Sequence, residues 1–499
     1  MFDAYLQGVQ SLMAMDVLLA VAAAVPIGLV FGLLPGLSGL TALAVLMPLV
    51  YGMEPLVGLS FLLAAHAVVY TGGSVTTILL GIPGSPPNAA TLMDGRPMAL
   101  RGEAGRAIGA ALVASALGGL VGMVALLALL PFLQPVIVHL GSPEVFALAL
   151  LGISYIAIIG HGDLFKGLAA GGFGIFLSCF GYQDITGVPR FWSGSEYMLD
   201  GFRLVPLVLG LFAIPEIVDL AVSKRQQFKI TPDSVSADRL RHGMREALIH
   251  RWLLLRAAWI GVLVGLIPGV GGDTAPFVAY GSAKQWARDP ARFGTGCVEG
   301  VIAPEASNNA KEGGALVPTL ALGLPGSAGM VILLGGFLLL GLQPGVGFLD
   351  HHTNVAVALA LVLAIANVLA VIVMLAAVPI VVRLLDVRGE LLAAPLLVLV
   401  VLGAYAVDEN TMDLLFVAVF GFLGYCMKSL AYSRPALLLG FVLGPTLETY
   451  LHISLQAYGA SFLLRPGVMV IVLLIVGGFA WPAYRRLRLR RKGDRDAPC

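Results

Sequence analysis

The groups best placed to do chemistry in this chain are backbone amides at breaks in apolar helices. Pro35-Gly36, Pro83-Gly84, Pro268-Gly269 and Pro325-Gly326 each interrupt a hydrophobic run. Proline ends the helix before it, and the helix that follows begins with unpaired N–H groups and a partial positive charge, a setting that suits a carboxylate. Carbonyls freed where the preceding helix stops suit Na+ or a water that relays a proton. Glycine lets a ligand approach the backbone closely. The breaks therefore mark Gly36, Ser38, Gly39, Pro83, Gly84, Ser85, Gly269, Gly271, Gly272, Gly326 and Ser327 as candidates for holding an anion. The competing structural reading is that the breaks only kink helices for packing.

A second set lies in the segment FGTGCVEGVIAPEASNNA at 293–310, where Glu299, Glu305, Asn308 and Asn309 sit among apolar residues. In a helix Glu305, Asn308 and Asn309 share one face, and their oxygens and amides can serve a ligand or ion. Asn308 and Asn309 join the substrate-binding candidates, while Glu305, Asp273, Thr274, Thr76 and Thr77 are candidates for coupling to an ion. Against this, the glutamates could lie at a membrane interface, the asparagines and Asp273 could cap helices, and the hydroxyls could bond their own backbone. His66 and Tyr70 read as packing residues. HExxH, GxSxG and P-loop patterns are missing, so no catalytic residue is assigned and the expectation is that the chain is not an enzyme. Cys179, Cys297, Cys426 and Cys499 show no metal or disulfide spacing, so no cofactor is expected beyond Na+ or H+ as a coupling ion.

The elements that position these residues must be membrane helices. The 499 residues are 58% hydrophobic and 12% charged, with a mean hydropathy of +0.93. Lipid is then the main solvent, and long apolar runs without period-2 alternation mean an α-helical bundle. Runs at 17–33, 108–133, 145–159, 164–180, 204–222, 355–385, 391–407, 414–426 and 467–481 are long enough to span or nearly so. Shorter pieces at 40–50, 56–70, 257–267, 275–282 and 316–342 read as half-helices or re-entrant hairpins. Residues 223–256 carry eight Lys or Arg against three acids, which places that loop in the cytoplasm together with the basic tail from Arg485 to Lys492. No basic residue precedes the first apolar run, so it reads as a retained span and not as a cleaved signal.

The chain also repeats itself. GLVFGLLPGLSG at 28–39 matches GVLVGLIPGVGG at 261–272, and LGIPGSP at 80–86 answers LGLPGSA at 322–328. The first copy follows an acidic N-terminus and the second a basic internal loop, so the halves are expected to be inverted, a plan used by secondary transporters. The fold expected is an all-α polytopic membrane protein of two inverted repeats with broken helices and re-entrant hairpins, in roughly 11–15 membrane segments. Residues 1–222 form the first half, 223–256 a cytoplasmic linker, 257–484 the second half and 485–499 the tail.

Taken together, GLLPGLSG, YTGGSVTTILLGIPGSPP, DGRPMALRGEAGRAIG, GLIPGVGG, FGTGCVEGVIAPEASNNA and LGLPGS resemble the large membrane subunit of the tripartite tricarboxylate transporters, over roughly residues 17–480. The chain departs from the family pattern at Gly81, where the turn commonly reads Asn-Ile-Pro-Gly, and at Ser307, where alanine is usual. The resemblance implies the permease of a secondary carrier for citrate-like tricarboxylates or other organic carboxylates in a bacterial inner membrane. It implies as partners a periplasmic solute-binding protein and a small four-helix membrane subunit, and an ion gradient as the driving force. Alternatives are a self-sufficient ion-coupled carrier and, from another class, an intramembrane enzyme using Glu299, Glu305 or Asp273.

Overall fold

The computed structural model describes residues 2–34, 37–137, 140–159, 164–183, 185–222, 235–267, 272–384 and 389–477. Pro35, Gly36, Pro268, Gly269 and Gly271 lie outside the described residues, as do residues 223–234 of the basic linker and the whole tail. The helices run in order α1 (Phe2–Leu12), α2 (Met15–Leu33), α3 (Gly39–Leu46), α4 (Pro55–Leu80), α5 (Ala89–Leu100), α6 (Ala104–Ile137), α7 (Ser142–Ile159), α8 (Leu164–Ser178), α9 (Leu204–Val208), α10 (Ile214–Val222), α11 (Ala237–Ile249) and α12 (Arg251–Leu266). They continue as α13 (Ala275–Trp286), α14 (Glu299–Leu322), α15 (Ala328–Leu339), α16 (Phe348–His351), α17 (Thr353–Leu384), α18 (Gly389–Asp408), α19 (Thr411–Ser429), α20 (Arg434–Tyr458) and α21 (Pro466–Gly477). Among the described residues the only strands are a two-residue pairing of Gly181–Tyr182 with Pro189–Arg190.

Seven helices are long and apolar enough to cross a bilayer, eight if the bent pair α11 and α12 counts as one span. The chain is therefore an all-α polytopic membrane protein. Two of the long apolar helices differ from the sequence expectation. The piece expected to stop at residue 70 continues as one helix to Leu80, Thr77 returning its hydroxyl to the carbonyl of Gly73. Helix α20 spans a region where no span is expected, its apolar run being diluted by Arg434, Glu448 and His452.

The chain forms two compact units, residues 1–137 with 202–430 and residues 138–201 with 431–499. In the smaller unit α20 packs along α7 and α8, and Arg190 pairs with Glu448 at 2.7 Å. In the larger unit α14 lies at the centre, buried from Gly300 to Ala321 although it carries Glu305, Asn308, Asn309, Lys311 and Glu312. A helix this polar is stable there only because neighbouring helices α4, α6 and α12, and not lipid, surround it.

The two sequence repeats pack alike. Helix α2 crosses α4 so closely that a Cβ on Gly32 would lie 2.1 Å from the Val69 carbonyl oxygen. Helix α12 crosses α14 in the same way, with a Cβ on Gly265 falling 2.3 Å from the Lys311 carbonyl oxygen. Helices α4 and α14 both end on a left-handed glycine, Gly81 and Gly323, with φ of 75° and 67°. Beyond them Gly84 nests against Gly73 as Gly326 nests against Ala315, the missing side chains leaving room for the returning loop.

Candidate functional site

Two half-helices begin at the described breaks. Ser38 caps α3 by accepting from the Thr41 amide at 3.4 Å, and Ser327 caps α15 by accepting from the Met330 amide at 3.3 Å. Both caps face one side chain. A Cβ on Gly39 would lie 3.1 Å from His66 Nδ1, and one on Gly329 would lie 2.3 Å from His66 Nε2. The imidazole of α4 thus sits against the first turns of α3 and α15, where the free amides and the positive ends of the helix dipoles converge.

Around His66 is a buried charged group that residue spacing does not reveal. His66 Nε2 is 3.5 Å from Glu312 Oε2, and Lys311 Nζ is 3.6 Å from Glu312 Oε1, with all three side chains fully buried. Lys311 Nζ also reaches Asp273 Oδ1 at 3.3 Å and lies over the Tyr70 ring at 4.2 Å. Its aliphatic stem fills the space beside Gly272, where a Cβ would come within 2.9 Å of Lys311 Cδ. Glu312 and Lys311 follow closely on the Asn308-Asn309 segment, and adjacent opposite charges inside a buried helix are the sequence signal that would have found them. His66 and Tyr70, read from the sequence as packing residues, are part of this group.

A second buried group joins α4, α5, α6 and α14 through Glu305. Its carboxylate accepts from Ser74 at 2.6 and 2.7 Å, from Ser115 at 2.9 Å and from Thr91. Asn88 donates to Ser74 Oγ at 2.7 Å and to the Tyr70 carbonyl at 3.0 Å, which leaves its own Oδ1 buried without a partner. This is an all-oxygen shell drawn from α4, α5, α6 and α14. An oxygen set of this kind suits a small cation.

The remaining candidates are distributed as follows. Asn309 donates to Thr71 at 3.2 Å and to Asn367, whereas both polar atoms of Asn308 are buried without a hydrogen-bond partner. Ser85 Oγ is likewise buried and unpartnered beside Pro83 and Gly84. Thr76 spends its hydroxyl proton on the Leu33 carbonyl at 2.9 Å and Thr77 on that of Gly73 at 2.7 Å, so both also serve the packing of the break. Thr274 lies in the 3-10 turn with Asp273, next to α13. Glu299 stands apart at the start of α14, 3.6 Å from His250, in a cavity of about 410 Å³ lined also by Arg256, Arg288 and Arg292. The contact with His250 holds the Glu299 carboxyl down at about 2.

Asp94, another residue the spacing analysis passed over, is fully buried and accepts from Tyr280 at 2.9 Å and from the amides of Gly294, Gly296 and Cys297 at 2.9, 2.7 and 2.9 Å. It fastens the DGRPMALRGEAG segment to the loop before α14. That role is structural, since every donor around it is already used.

Residues 18–439 match the model of the tripartite tricarboxylate transporter TctA family. The chain belongs to that family. An Agrobacterium vitis relative, described as an uncharacterized 52.8 kDa protein in the TAR-I ttuC' 3' region, is 31% identical over 437 residues, covering 85% of this chain and 84% of its own length. A second Agrobacterium vitis protein, from the TAR-II ttuC' 3' region, is 34% identical over 192 residues, covering 38% of this chain and 79% of its own length. No solved structure matches the chain. Both broken-helix loops and both buried groups fall inside the part of the chain that matches this transporter family.

Proposed function

We propose that this TctA-family protein is the transport-conducting subunit of a binding-protein-dependent carrier, driven by an ion gradient, that imports citrate-like tricarboxylates or other organic carboxylates. The supporting observation is the meeting of two half-helix starts, at Ser38-Gly39 and Ser327-Ala328-Gly329, beside the buried ammonium of Lys311. Amides, dipole ends and a cation on one spot are what a carboxylate needs. Asn308, with a buried amide awaiting a partner, adds a donor and an acceptor from α14.

In this reading the two halves are inverted repeats that rock against each other and expose the anion to either side in turn. The protein lies in a bacterial inner membrane with its C-terminus in the cytoplasm. A periplasmic solute-binding protein delivers the carboxylate, and a small four-helix membrane subunit completes the complex. The test is uptake of labelled di- and tricarboxylates by cells expressing this chain alone, and then with its small subunit and binding protein. Uptake that requires all three components supports the proposal, uptake by the chain alone would make it an independent carrier, and chemical alteration of the carboxylate would move it to the enzymes.

A further inference from the structure

The charges around the half-helix starts do not favour an anion as they stand. With His66 neutral, Lys311 faces both Glu312 and Asp273, so the group carries one net negative charge. Among the described residues the Glu312 oxygens are held only by the contacts with His66 and Lys311 at 3.5 and 3.6 Å, and His66 Nδ1 is buried without a hydrogen-bond partner. A buried carboxylate held by so few contacts is costly in its ionised form.

We infer that the His66–Glu312 pair takes up the proton that travels with the carboxylate, making the protein a proton–carboxylate symporter. This rests on the carboxylate-carrier reading above. A proton arriving at the pair converts the local charge from one net negative to neutral, which is the condition under which an anionic substrate can enter. The titratable and charged groups that face the pair are Tyr70 on α4, Lys311 on α14 and Asp273 on the turn before α13; α3 and α15, which approach the imidazole at Gly39 and Gly329, carry no titratable residue. Because the imidazole touches the first turns of both half-helices, a bound carboxylate and the proton sit side by side, and each raises the affinity for the other. The proton loads with the carboxylate on one side and leaves with it on the other; no bond other than N–H or O–H is made or broken.

Linkage fixes the size of the effect. If one proton accompanies each substrate, the apparent affinity falls about tenfold for each unit of pH above the pair's pKa. The Glu305 shell is the rival place for a coupling ion, because its oxygens would suit Na+, and the experiment must separate the two.

The complete three-component transporter is reconstituted in vesicles containing a pH-sensitive dye, with citrate and, in parallel, succinate as probes. Carboxylate entry, lumen acidification and Na+ dependence are followed together. The expected result for the wild type is acidification in step with carboxylate entry in the absence of Na+. The protons moved per carboxylate should drop about tenfold or more in His66→Gln and in Glu312→Gln, with the pH slope of affinity flattened. Carboxylate entry without acidification, or acidification that persists unchanged in both variants, would overturn the inference, and an absolute requirement for Na+ abolished by Glu305→Gln would transfer coupling to the other site. The wild-type proton count stands even if a variant fails to fold. Absence of any carboxylate flux in the wild type would instead bring down the carrier reading itself.

Discussion

Asn308 and Asn309 are neighbours on α14 with opposite surroundings, and the difference predicts opposite phenotypes. Asn309 donates to Thr71 and Asn367 and so ties α14 to α4 and α17. Replacing it with alanine strands two buried acceptors at roughly 1–3 kcal/mol each, for a loss of about 2–4 kcal/mol once some relaxation is allowed. Asn308 is 1% exposed and makes no hydrogen bond through its side chain. Its replacement breaks nothing and relieves an unsatisfied buried amide, so stability should stay within about 1 kcal/mol of the wild type or rise. Function should run the other way. Asn308→Ala is expected to abolish carboxylate uptake at normal membrane expression, while Asn309→Ala loses uptake in proportion to the folded protein lost. Thermal unfolding in detergent, paired with uptake per folded transporter, measures both. A variant Asn308→Ala that transports normally, or that unfolds as readily as Asn309→Ala, would refute the assignment of Asn308 to the binding site.

Three other outcomes follow from the packing and the charges. Asp94→Ala leaves three amides and a tyrosine hydroxyl without their acceptor and should destabilise the protein by roughly 3–5 kcal/mol, seen as loss of folded protein in detergent; unchanged stability would remove Asp94 from its structural role. Gly32→Ala places a methyl 2.1 Å from the Val69 carbonyl oxygen and should cost folding and transport together, whereas Gly281→Ala, with open space around it, should be neutral or slightly stabilising on α13. The His250–Glu299 pair should show a pH window. The contact with Glu299 raises the His250 pKa, so that contribution is complete below the ordinary histidine value of about 6.5 and fades as pH rises through the raised value. Glu299, lowered to about 2, contributes fully above the ordinary carboxylate range near pH 4.5 and loses its share as pH falls toward 2. The stability difference between wild type and His250→Asn should therefore be largest between about pH 4.5 and 6.5; a difference that grows above pH 8 would contradict it.

Much of this fold is legible in the sequence because the bilayer leaves few choices. Apolar runs such as that of α2 and α17 can only be helices, and a Gly-x-Pro-Gly-Ser stretch after such a run can only be a break, as Gly81 and Gly323 show with their left-handed backbone. The repeat was visible because Gly28, Gly32, Gly261 and Gly265 are needed wherever one helix crosses another at backbone contact. Other features depend on three-dimensional placement. Helix α14 fails as an apolar span because it is sheathed by protein, and nothing in the spacing of Lys311 and Glu312 joins them to His66 or Asp273. His66 looks like a packing residue until α3 and α15 are brought onto its ring. The spacing of Glu305 suggested an ion site, but the serines and threonine that surround it come from positions 74, 91 and 115, too far apart in sequence for any spacing rule to join. Asp94 hid in a basic loop, and only the fold shows its carboxylate gathering amides two hundred residues away.

The central claim is that a carboxylate sits between the starts of α3 and α15. Single cysteines in place of Ser38 and Ser327, in a background with the native cysteines replaced, allow a direct measurement of their reaction rate with a small thiol reagent. The account predicts that a transported carboxylate slows modification at both positions and that chloride at equal ionic strength does not. Equal rates with and without a carboxylate shown to be transported would place the substrate elsewhere.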